Sequence, residues 1–392
     1  MPVNDGRRQG IAGRARNDGR GQGDGYCNQV WSFRGNIINE RGKPMKAAVL
    51  YGDNDLRYEE FREPELRPGT VKVRVRAAGI CGSDVPRVLH GGAHFYPIVL
   101  GHEFAGDVIE IGEGVEDIQV GDRVAGVPLI PCMACDDCQT GNFSLCRHYS
   151  FIGSRQQGAF ADYVVIPASN AVKYSPTVSY EQAALFEPST VALHGIFLNG
   201  FTGGGEVAVL GAGTIGILTL QWAKLLGAKR VTVLDIDKGR LELAKKLGAD
   251  ICLNSGDSGC VEGAASITGG KGFDYVFDAV GAPATIQTAF DLAGNRARVC
   301  CIGTPHGQVT FTQKQWELMN RKEFTLTGSW MSYSAPFPGR EWALTAHYFS
   351  TGQLKFDENL IHERLPMAKA GEAFALYKNP SLIHGKILLV NE

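Results

Sequence analysis

The stretch EVAVLGAGTIGILTLQWAKLLGAKRVTVLDID (residues 206–237) reads as an apolar strand, a glycine turn, an amphipathic helix and a second apolar strand. That order is a βαβ unit, which builds parallel sheets. Similar apolar runs follow at 273–281 (FDYVFDAVG) and 296–303 (RARVCCIG). The sequence therefore predicts an α/β arrangement with a parallel sheet in this part of the chain.

The glycine turn carries a dinucleotide-binding pattern. GAGTIG has the G-x-G-x-x-G spacing, and Asp235 ends the next predicted strand nineteen residues after Gly216. The glycines let a pyrophosphate approach the helix N-terminus, and the carboxylate accepts hydrogen bonds from ribose hydroxyls. Because a carboxylate repels a 2′-phosphate, we expect NAD rather than NADP, although Arg240 could tolerate that phosphate or cover the adenine. The predicted cofactor-binding residues are Gly211, Gly213, Thr214, Ile215, Gly216, Asp235 and Arg240.

A second pattern, PCMACDDCQTGNFSLC (131–146), contains four cysteines spaced C-x2-C-x2-C-x7-C. Four thiolates this close can surround one Zn²⁺ ion, and an iron–sulfur cluster is the alternative. A disulfide framework is typical of short secreted chains, whereas residues 1–20 lack the apolar core of a signal peptide. The spacing indicates a structural zinc site formed by Cys132, Cys135, Cys138 and Cys146. A closed four-thiolate site leaves no position for chemistry.

Three further stretches supply a mixed set of reactive side chains. GICGSD contains Cys81 and Ser83, GHEFAG contains His102 and Glu103, and LFEPST contains Glu187. Singly, each has an ordinary explanation as a packed thiol, a hydrogen-bonded imidazole or a solvated carboxylate. Together they offer the thiolate, imidazole and carboxylate ligands of a zinc site with an open position. Sequence alone does not show that they converge.

Composition limits the classes of function. The 392 residues suffice for two domains, and a formal net charge of −2 gives no support for a nucleic-acid partner. No run approaches the 18 apolar residues of a membrane span. The remaining cysteines are expected to be reduced or packed thiols, and a cytoplasmic location fits best. These thiols are Cys27, Cys252, Cys260, Cys300 and Cys301.

Residues 1–44 differ from the rest of the chain. They are rich in glycine, arginine, asparagine and aspartate and carry seven arginines and one lysine against four acidic residues, a formal charge of +4. With so little to bury, this segment is predicted to be a disordered extension. An RNA-binding arm is the alternative interpretation. The folded part is expected to begin with MKAAVLYG at Met45, followed by strand patterns at 71–80 and 104–126.

GICGSD, LGHEFAG, VGDRVAG, the four-cysteine segment and VLGAGTIG occur in this order, over nearly all of residues 45–392. This arrangement resembles the zinc-dependent medium-chain dehydrogenase/reductase family. The resemblance implies an α/β fold in which a GroES-like, β-rich catalytic domain is interrupted by a Rossmann domain with a doubly wound parallel sheet. The expected segments are an extension (1–44), a catalytic domain (45–190 and 332–392) with its zinc lobe (131–146), and a Rossmann NAD-binding domain (191–331).

The resemblance also implies roles for individual residues. Cys81 and His102 would hold a catalytic zinc, with Glu187 at a position that is glutamate in polyol dehydrogenases and cysteine in many simple alcohol dehydrogenases. Glu103 would lie beside the metal as a possible additional ligand, and Ser83 would pass the released proton toward solvent. The expected metal content is two zinc ions per chain, one catalytic and one structural.

Within the polyol branch, three stretches (81–104, 149–163 and 328–342) resemble dehydrogenases of phosphorylated sugar alcohols more than sorbitol dehydrogenases. A phosphate needs cationic partners, and the candidates among the basic side chains of these stretches are Arg87, His94 and Arg155. Each could instead brace a loop or cap a turn. The expected partner is a small polyol phosphate, with no nucleic acid or membrane, in a homodimer or homotetramer. A sorbitol, xylitol or threonine dehydrogenase and a non-enzymatic structural relative are the alternatives.

Overall fold

The computed structural model describes residues 44–391. The first, β-rich part of the chain contains β1 (Pro44–Gly52), β2 (Asp55–Arg62), β3 (Thr70–Gly79), α1 (Asp84–Leu89), β4 (Ile98–Val99), β5 (Glu103–Ile111), β6 (Arg123–Gly126), β7 (Leu129–Ile130), α2 (Asp136–Gln139), β8 (Ser150–Phe151), β9 (Tyr163–Pro167) and β10 (Ala171–Lys173). The predicted extension lies outside the described residues except for Pro44, which begins β1.

Helices and strands alternate in the middle of the chain, and the last part returns to β-structure. The elements are α3 (Tyr180–Ala184), α4 (Phe186–Leu198), β11 (Glu206–Leu210), α5 (Thr214–Leu225), β12 (Arg230–Asp235), α6 (Lys238–Lys246), β13 (Ile251–Asn254), α7 (Cys260–Ile267), β14 (Phe273–Asp278), α8 (Pro283–Leu292), β15 (Ala293–Cys301), α9 (Gln313–Lys322), β16 (Thr325–Gly328), α10 (Arg340–Ser350), β17 (Ile361–Pro366), α11 (Ala370–Leu376) and β18 (Lys386–Val390). Short 3₁₀ helices lie at Phe143–Leu145, Ala168–Asn170, Glu358–Leu360, Met367–Lys369 and Pro380–Leu382.

The predicted parallel sheet is present. It has six strands in the order β13-β12-β11-β14-β15-β16, and every neighbouring pair is parallel. The apolar run of β11 is buried at all five positions, as expected for a central strand covered on both faces. Chain order reverses on either side of β11, so the crevice beyond the carboxyl ends of β11 and β14 is the expected place for a dinucleotide.

A seven-stranded sheet, antiparallel except for the parallel pair of β17 and β18, holds the β-rich part together and includes the end of the chain. Its order is β10-β6-β5-β3-β18-β17, with β9 paired to β3. β18 pairs antiparallel with β3 through Leu388 opposite Gly79. The chain therefore comes back from the parallel sheet to complete the sheet in which it began, as the predicted GroES-like and Rossmann architecture requires.

Strand β3 lies where the sequence predicts a strand, but one of its basic side chains is more buried than the alternating pattern indicates. Its alternation of apolar and basic residues predicts a basic face in water, yet Lys72 is only 6% exposed. Its ammonium contacts Glu63 Oε1 and Glu110 Oε1, each at 2.8 Å. Burial of this charge is tolerated because two carboxylates pair with it.

Helix α4 connects the two parts of the chain. It spans the predicted boundary at 190/191, and it packs on α5, where Trp222 Nε1 donates to Ser189 Oγ at 3.0 Å. Phe186 at its start stacks on Phe349 of α10, with ring centroids 5.3 Å apart. Within residues 44–391, no helix is long and apolar enough to span a bilayer.

Candidate active site, metal centres and nucleotide site

The four predicted lobe cysteines come together at one point. The Sγ atoms of Cys132, Cys135, Cys138 and Cys146 lie within 4.8 Å of one another. Cys132 Sγ is 4.0 Å from Cys138 Sγ, and Cys135 Sγ is 4.0 Å from Cys146 Sγ. A disulfide needs about 2.05 Å, whereas a tetrahedral zinc with Zn–S bonds of about 2.3 Å separates its sulfurs by about 3.8 Å. The donor set and spacing therefore fit a tetrahedral metal.

Backbone N–H groups support thiolates in this lobe. Cys135 N donates to Cys132 Sγ, and Cys132 N donates to Cys146 Sγ, both at 3.3 Å. A backbone N–H contact with Cys138 lowers the pKa of Cys135 to about 6. Hydrogen bonds to the charged form favour that form, and thiolates are the metal-binding form of cysteine.

The lobe is attached to a distant segment of the chain. Ser144 Oγ accepts from Tyr333 N at 3.0 Å, and the Phe143 and Phe337 rings meet edge-on with centroids 5.5 Å apart. Burial and the neighbouring Glu187 raise the pKa of Tyr333 well above its usual value, which places this tyrosine in the pocket of Glu187. The four-cysteine lobe thus packs on a segment that borders the mixed set of reactive side chains.

That mixed set converges in part. The ligand atoms of Cys81, His102 and Glu103 lie within 4.8 Å of one another. Pairing of β3 with β5 explains this, because Gly79 lies opposite Glu103. Cys81 follows the end of β3 and His102 precedes the start of β5, so both side chains lie at the same end of the strand pair.

Glu187 lies in the same pocket, although its carboxyl is outside this tight group. It occupies the first turn of α4 and is 9% exposed. Burial raises the pKa of Glu187 to about 7; the charge of His102 lowers it and that of Glu103 raises it. The Glu187 carboxyl makes no ion pair within residues 44–391. A buried carboxyl of this kind needs a cation to ionise fully.

Sequence reasoning did not single out Asp84, which lies within the quoted GICGSD. Its side chain is fully buried, Oδ2 accepts from Cys81 N at 3.1 Å, and Oδ1 lies 3.4 Å from His102 Nδ1. Although burial opposes its charged form, the pKa of His102 is raised well above its usual value by Asp84 and Cys81. A carboxylate behind a histidine orients the ring toward a metal, so Asp84 fits the support of a ligand.

Sequence reasoning also missed Lys386, a buried lysine whose ammonium lies in the pocket. This residue begins β18, is 7% exposed, and contacts Glu103 Oε1 at 2.8 Å and Oε2 at 2.7 Å. Burial opposes its charge, yet Glu103 and Cys81 raise the pKa of Lys386 above its usual value. It stands 283 positions from its partner, and in the sequence it reads as an ordinary lysine before an apolar run.

The charges of the pocket fit a divalent cation. Four groups are anionic when the thiol is ionised, and two neighbouring groups are cationic. Bound Zn²⁺ brings the total to zero, and buried charges are tolerated when they are paired in this way. The anionic groups are Cys81, Asp84, Glu103 and Glu187, and the cationic ones are Arg87 and Lys386.

The three predicted phosphate-binding residues share one neighbourhood. Burial lowers the pKa of His94, and the positive charges of Arg155 and Arg87 lower it further. The guanidinium of Arg155 lies over the Tyr149 ring, 4.4 Å from its centroid. Tyr149 meets Phe151, which meets His102, at centroid distances of 6.5 and 5.6 Å. A line of rings therefore runs from Arg155 to the candidate metal pocket.

Arg87 has partners of its own. Its Nη1 donates to Ser83 O at 2.7 Å and to Ser83 Oγ at 3.0 Å, and it lies 3.4 Å from Asp84 Oδ1. Ser83 N donates to Cys81 Sγ at 3.5 Å, and Ser83 is exposed. Ser83 Oγ thus lies between the pocket and solvent, with one lone pair engaged by Arg87.

The predicted nucleotide residues form the turn between β11 and α5. Gly211 has φ +92°, and a Cβ at Gly216 would collide with the carbonyl oxygen of Gly211, so both positions require glycine. Asp235 ends β12, where Oδ2 accepts from Ala212 N at 2.6 Å and Oδ1 accepts from Asp237 N at 2.8 Å. The carboxylate is therefore fixed at the edge of the glycine turn.

Arg240 is held away from the glycine turn. Its Nη2 donates to the carbonyl of Ile383 at 2.5 Å, and its backbone N–H donates to the Asp237 side chain that caps α6. Beside Asp235, Ile236 is 74% exposed, and an exposed apolar side chain there offers a surface for an adenine ring.

Comparisons with known proteins agree with this architecture. Residues 67–176 match the alcohol dehydrogenase GroES-like domain, and residues 214–346 match the zinc-binding dehydrogenase domain. The chain belongs to the zinc-dependent medium-chain dehydrogenase/reductase family, whose members are NAD(P)-dependent oxidoreductases acting on CH–OH groups.

Among individual relatives, galactitol 1-phosphate 5-dehydrogenase of Escherichia coli K12 is 37% identical over 88% of this chain and 100% of its own. The crystal structure of galactitol-1-phosphate dehydrogenase from Escherichia coli superposes with a TM-score of 0.84 at 38% identity, and the match covers 88% of this chain and 100% of that structure. Sorbitol dehydrogenase of Bacillus subtilis is 33% identical over 67% of this chain and 75% of its own. An alcohol dehydrogenase of Escherichia coli CFT073, complexed with NADH, is 30% identical over 89% of this chain and 100% of its own, with a TM-score of 0.80.

Proposed function

We propose that this protein oxidises galactitol 1-phosphate to D-tagatose 6-phosphate, with NAD as the oxidant and zinc at the Cys81–His102–Glu187 pocket. The observation that carries this proposal is the presence of two arginines in the pocket's surroundings, Arg87 in contact with Asp84 and Arg155 on the line of rings that leads to His102. A site for a free polyol has no need of such a cluster, whereas a phosphate with nearly two negative charges does. Likeness to galactitol 1-phosphate 5-dehydrogenase over the length of that enzyme supports the same substrate.

Two zinc ions per chain are proposed. Cys132, Cys135, Cys138 and Cys146 would hold the structural ion, because four thiolates close its coordination. Cys81, His102 and Glu187 would hold the catalytic ion, with Glu103 beside it. Three protein ligands leave one position open for the substrate oxygen.

Bound in the Cys81–His102–Glu187 pocket, zinc would supply a Lewis acid at the substrate hydroxyl oxygen, and NAD⁺ would accept the hydride from the carbon that bears this hydroxyl. The hydroxyl proton leaves separately. Ser83 Oγ can accept that proton while its own passes to solvent, since Arg87 Nη1 occupies only one of its lone pairs. Asp84 keeps the His102 ring oriented, and Asp235 fixes the ribose end of the cofactor.

Among the basic residues, Arg155 is the best candidate for the phosphate contact. Arg87 Nη1 is committed to Ser83 and Asp84, whereas Arg155 is exposed, lies over the Tyr149 ring and donates from Nη2 to Tyr149 Oη at 3.3 Å. A guanidinium presents two parallel N–H donors that match a phosphate.

NADH formation across a panel of substrates tests the proposed function. The panel contains galactitol 1-phosphate, a second hexitol phosphate, galactitol, sorbitol, xylitol and threonine. We expect the highest kcat/KM with galactitol 1-phosphate. If sorbitol, xylitol or threonine is oxidised more efficiently than every phosphorylated polyol, the phosphate assignment is wrong and the corresponding dehydrogenase takes its place.

We further propose a homodimer or homotetramer. Within residues 44–391 no strand pairs with the outer edge of β16, and Leu326 on that strand is 40% exposed. Trp330, two residues after the strand, is 52% exposed. An exposed edge strand with apolar side chains is a surface on which a second chain can add its own strand.

A further inference from the structure

Arg155 lies in a tight turn, residues 151–156, that begins at the end of β8. The carbonyl oxygen of Phe151 lies within hydrogen-bonding distance of three backbone N–H groups of this turn, those of Ser154 at 3.2 Å, Arg155 at 2.8 Å and Gln156 at 3.2 Å. A backbone whose polar groups are paired within so short a segment has little freedom to move. The turn therefore presents Arg155 from a fixed backbone position.

The same turn packs directly on the backbone that precedes His102. Gly153, with φ +78°, lies so close to Gly101 that a Cβ at residue 153 would come within 2.5 Å of the Gly101 carbonyl oxygen. That carbonyl also accepts from Ala159 N at 2.9 Å. Contact of backbone with backbone has no flexible side chain to absorb a shift. The turn cannot move relative to His102 without breaking these contacts.

Aromatic rings make a second connection between Arg155 and His102. The Phe151 ring meets the His102 ring and the Tyr149 ring edge-on, at interplanar angles of 63° and 80°. The Arg155 guanidinium lies over the Tyr149 ring and donates from Nη2 to Tyr149 Oη at 3.3 Å. Edge-on ring pairs and a cation over a ring are both favourable contacts. They hold the guanidinium, as well as its backbone, at a set distance from the imidazole.

This arrangement would hold the substrate at two separate points. The proposed metal of the Cys81–His102–Glu187 pocket binds the oxygen of the carbon to be oxidised, and Arg155 binds the phosphate. Since the protein fixes the distance between these two points, it also fixes the number of carbon atoms that fit between them. In galactitol 1-phosphate oxidised at C5, the carbons between the oxidised carbon and the phosphate-bearing C1 are C2, C3 and C4.

We propose that Tyr149 is a positioning residue that holds Arg155 so that the carbon to be oxidised is selected by its distance from the phosphate, and not by its distance from the free end of the polyol. This inference rests on the proposed function. The substrate class it defines is straight-chain polyol 1-phosphates with a secondary hydroxyl at C5. The hydride leaves C5 for NAD⁺, the hydroxyl proton passes to solvent, and a ketone forms at C5.

A longer substrate separates the two ways of selecting the carbon. In a heptitol 1-phosphate with the configuration of galactitol at C2 to C5, C5 keeps its distance from the phosphate, while C6 takes the place next to the free end. We expect NADH formation with the ketone at C5, identified by NMR of the product. A ketone at C6, or no oxidation of the heptitol phosphate, would overturn the inference, because the free end would then decide the outcome.

Tyr149→Leu removes the ring and the hydroxyl that hold Arg155 but keeps the guanidinium. We expect kcat/KM with galactitol 1-phosphate to fall roughly 2- to 5-fold. Part of the heptitol phosphate should then be oxidised at C6, because the guanidinium can move. Tyr149→Phe keeps the ring and should form the C5 ketone alone. If Tyr149→Leu also forms only the C5 ketone, Tyr149 does not position Arg155 and the inference fails.

Tyr51→Leu is the matched control. Tyr51 also lies beneath an arginine, with the Arg57 guanidinium 4.9 Å from its ring centroid, but this pair belongs to β1 and β2. Loss of a tyrosine that carries an arginine should leave both the rate and the position of oxidation unchanged in this variant. A loss of stability alone would lower the rate without moving the ketone.

Calorimetry with inorganic phosphate separates this inference from the proposed substrate. It is carried out on Cys81→Ser, so that a metal in the pocket does not compete for the phosphate. Adding Arg155→Gln should weaken phosphate binding roughly 30- to 150-fold, and equal dissociation constants would overturn the inference. If phosphate binding depends on Arg155 but wild-type protein oxidises no polyol phosphate, the proposed function fails while the phosphate subsite stands.

Discussion

At the scale of single residues, we expect Arg155 to carry the largest share of the proposed substrate preference. Replacing it with glutamine removes a charge-assisted contact worth about 2–3 kcal/mol, which is a fall of roughly 30- to 150-fold in kcat/KM. The fall should occur with galactitol 1-phosphate and be nearly absent with galactitol, which lacks the phosphate.

Arg147→Gln is the control for that variant, because Arg147 is an exposed arginine that directly follows the lobe and pairs with Asp137. Steady-state kinetics on both substrates separates the outcomes. An equal loss on galactitol and on its phosphate would show that Arg155 supports the loop and does not bind the phosphate.

Asp235 is the residue expected to select the cofactor. Replacing it with serine removes the acceptor for the ribose hydroxyls and the repulsion of a 2′-phosphate, so kcat/KM should fall with NAD and rise with NADP. The backbone N–H groups of Ala212 and Asp237, which Asp235 now accepts from, would become available to that phosphate. An unchanged ratio of kcat/KM for the two cofactors would place the selection elsewhere, with Arg240 the next residue to replace.

At the scale of elements, the metal proposed for the zinc lobe would contribute to stability and not to chemistry. Cys135→Ser should lose one zinc and lower the melting temperature, because a structural metal contributes its binding energy to folding. The Ser144–Tyr333 contact links the lobe to the pocket of Glu187, so kcat should fall as well, but less than in a variant of a catalytic ligand.

Cys252→Ser is the matched control, since Cys252 is a half-buried thiol of β13 outside both metal groups. Thermal unfolding and metal analysis of the two variants give the comparison. Equal melting temperatures for Cys135→Ser and the wild type would contradict a structural zinc in the lobe.

At the same scale, local patterns in the sequence were enough to predict elements. The βαβ unit follows from the apolar runs around GAGTIG, and the order of the strands around β11 is the one that such units build. The burial of Lys72 was not predicted, because its partners Glu63 and Glu110 lie on other segments. An alternating pattern indicates which side chains share a face, but not whether a basic face meets water or carboxylates.

The candidate pocket is a property of the whole molecule. Its side chains come from the β3–β5 end, from α4 and from β18, so the sequence could suggest the residue types but not their distances. Asp84 stood inside a quoted motif and was overlooked. Lys386 left no local signal, because its partner Glu103 lies 283 positions away.

Assembly is the second property of the whole molecule that can be tested. If two chains pair through β16, Leu326→Lys places a charge at the joint edge and should shift the protein toward monomers in light scattering coupled to size-exclusion chromatography. Ile111→Lys, at an equally exposed apolar position on β5, should not change the mass. Identical masses for wild type and Leu326→Lys would exclude this edge as the interface.

The central claim is that Cys81, His102 and Glu187 hold a catalytic zinc distinct from the zinc of the lobe. It is tested most directly by measuring zinc per chain and NADH formation from galactitol 1-phosphate in wild type and Cys81→Ser, prepared in parallel. We predict about two zinc ions in wild type and about one in the variant, with an unchanged melting temperature and no turnover. Both zinc ions and full turnover in Cys81→Ser would contradict the account.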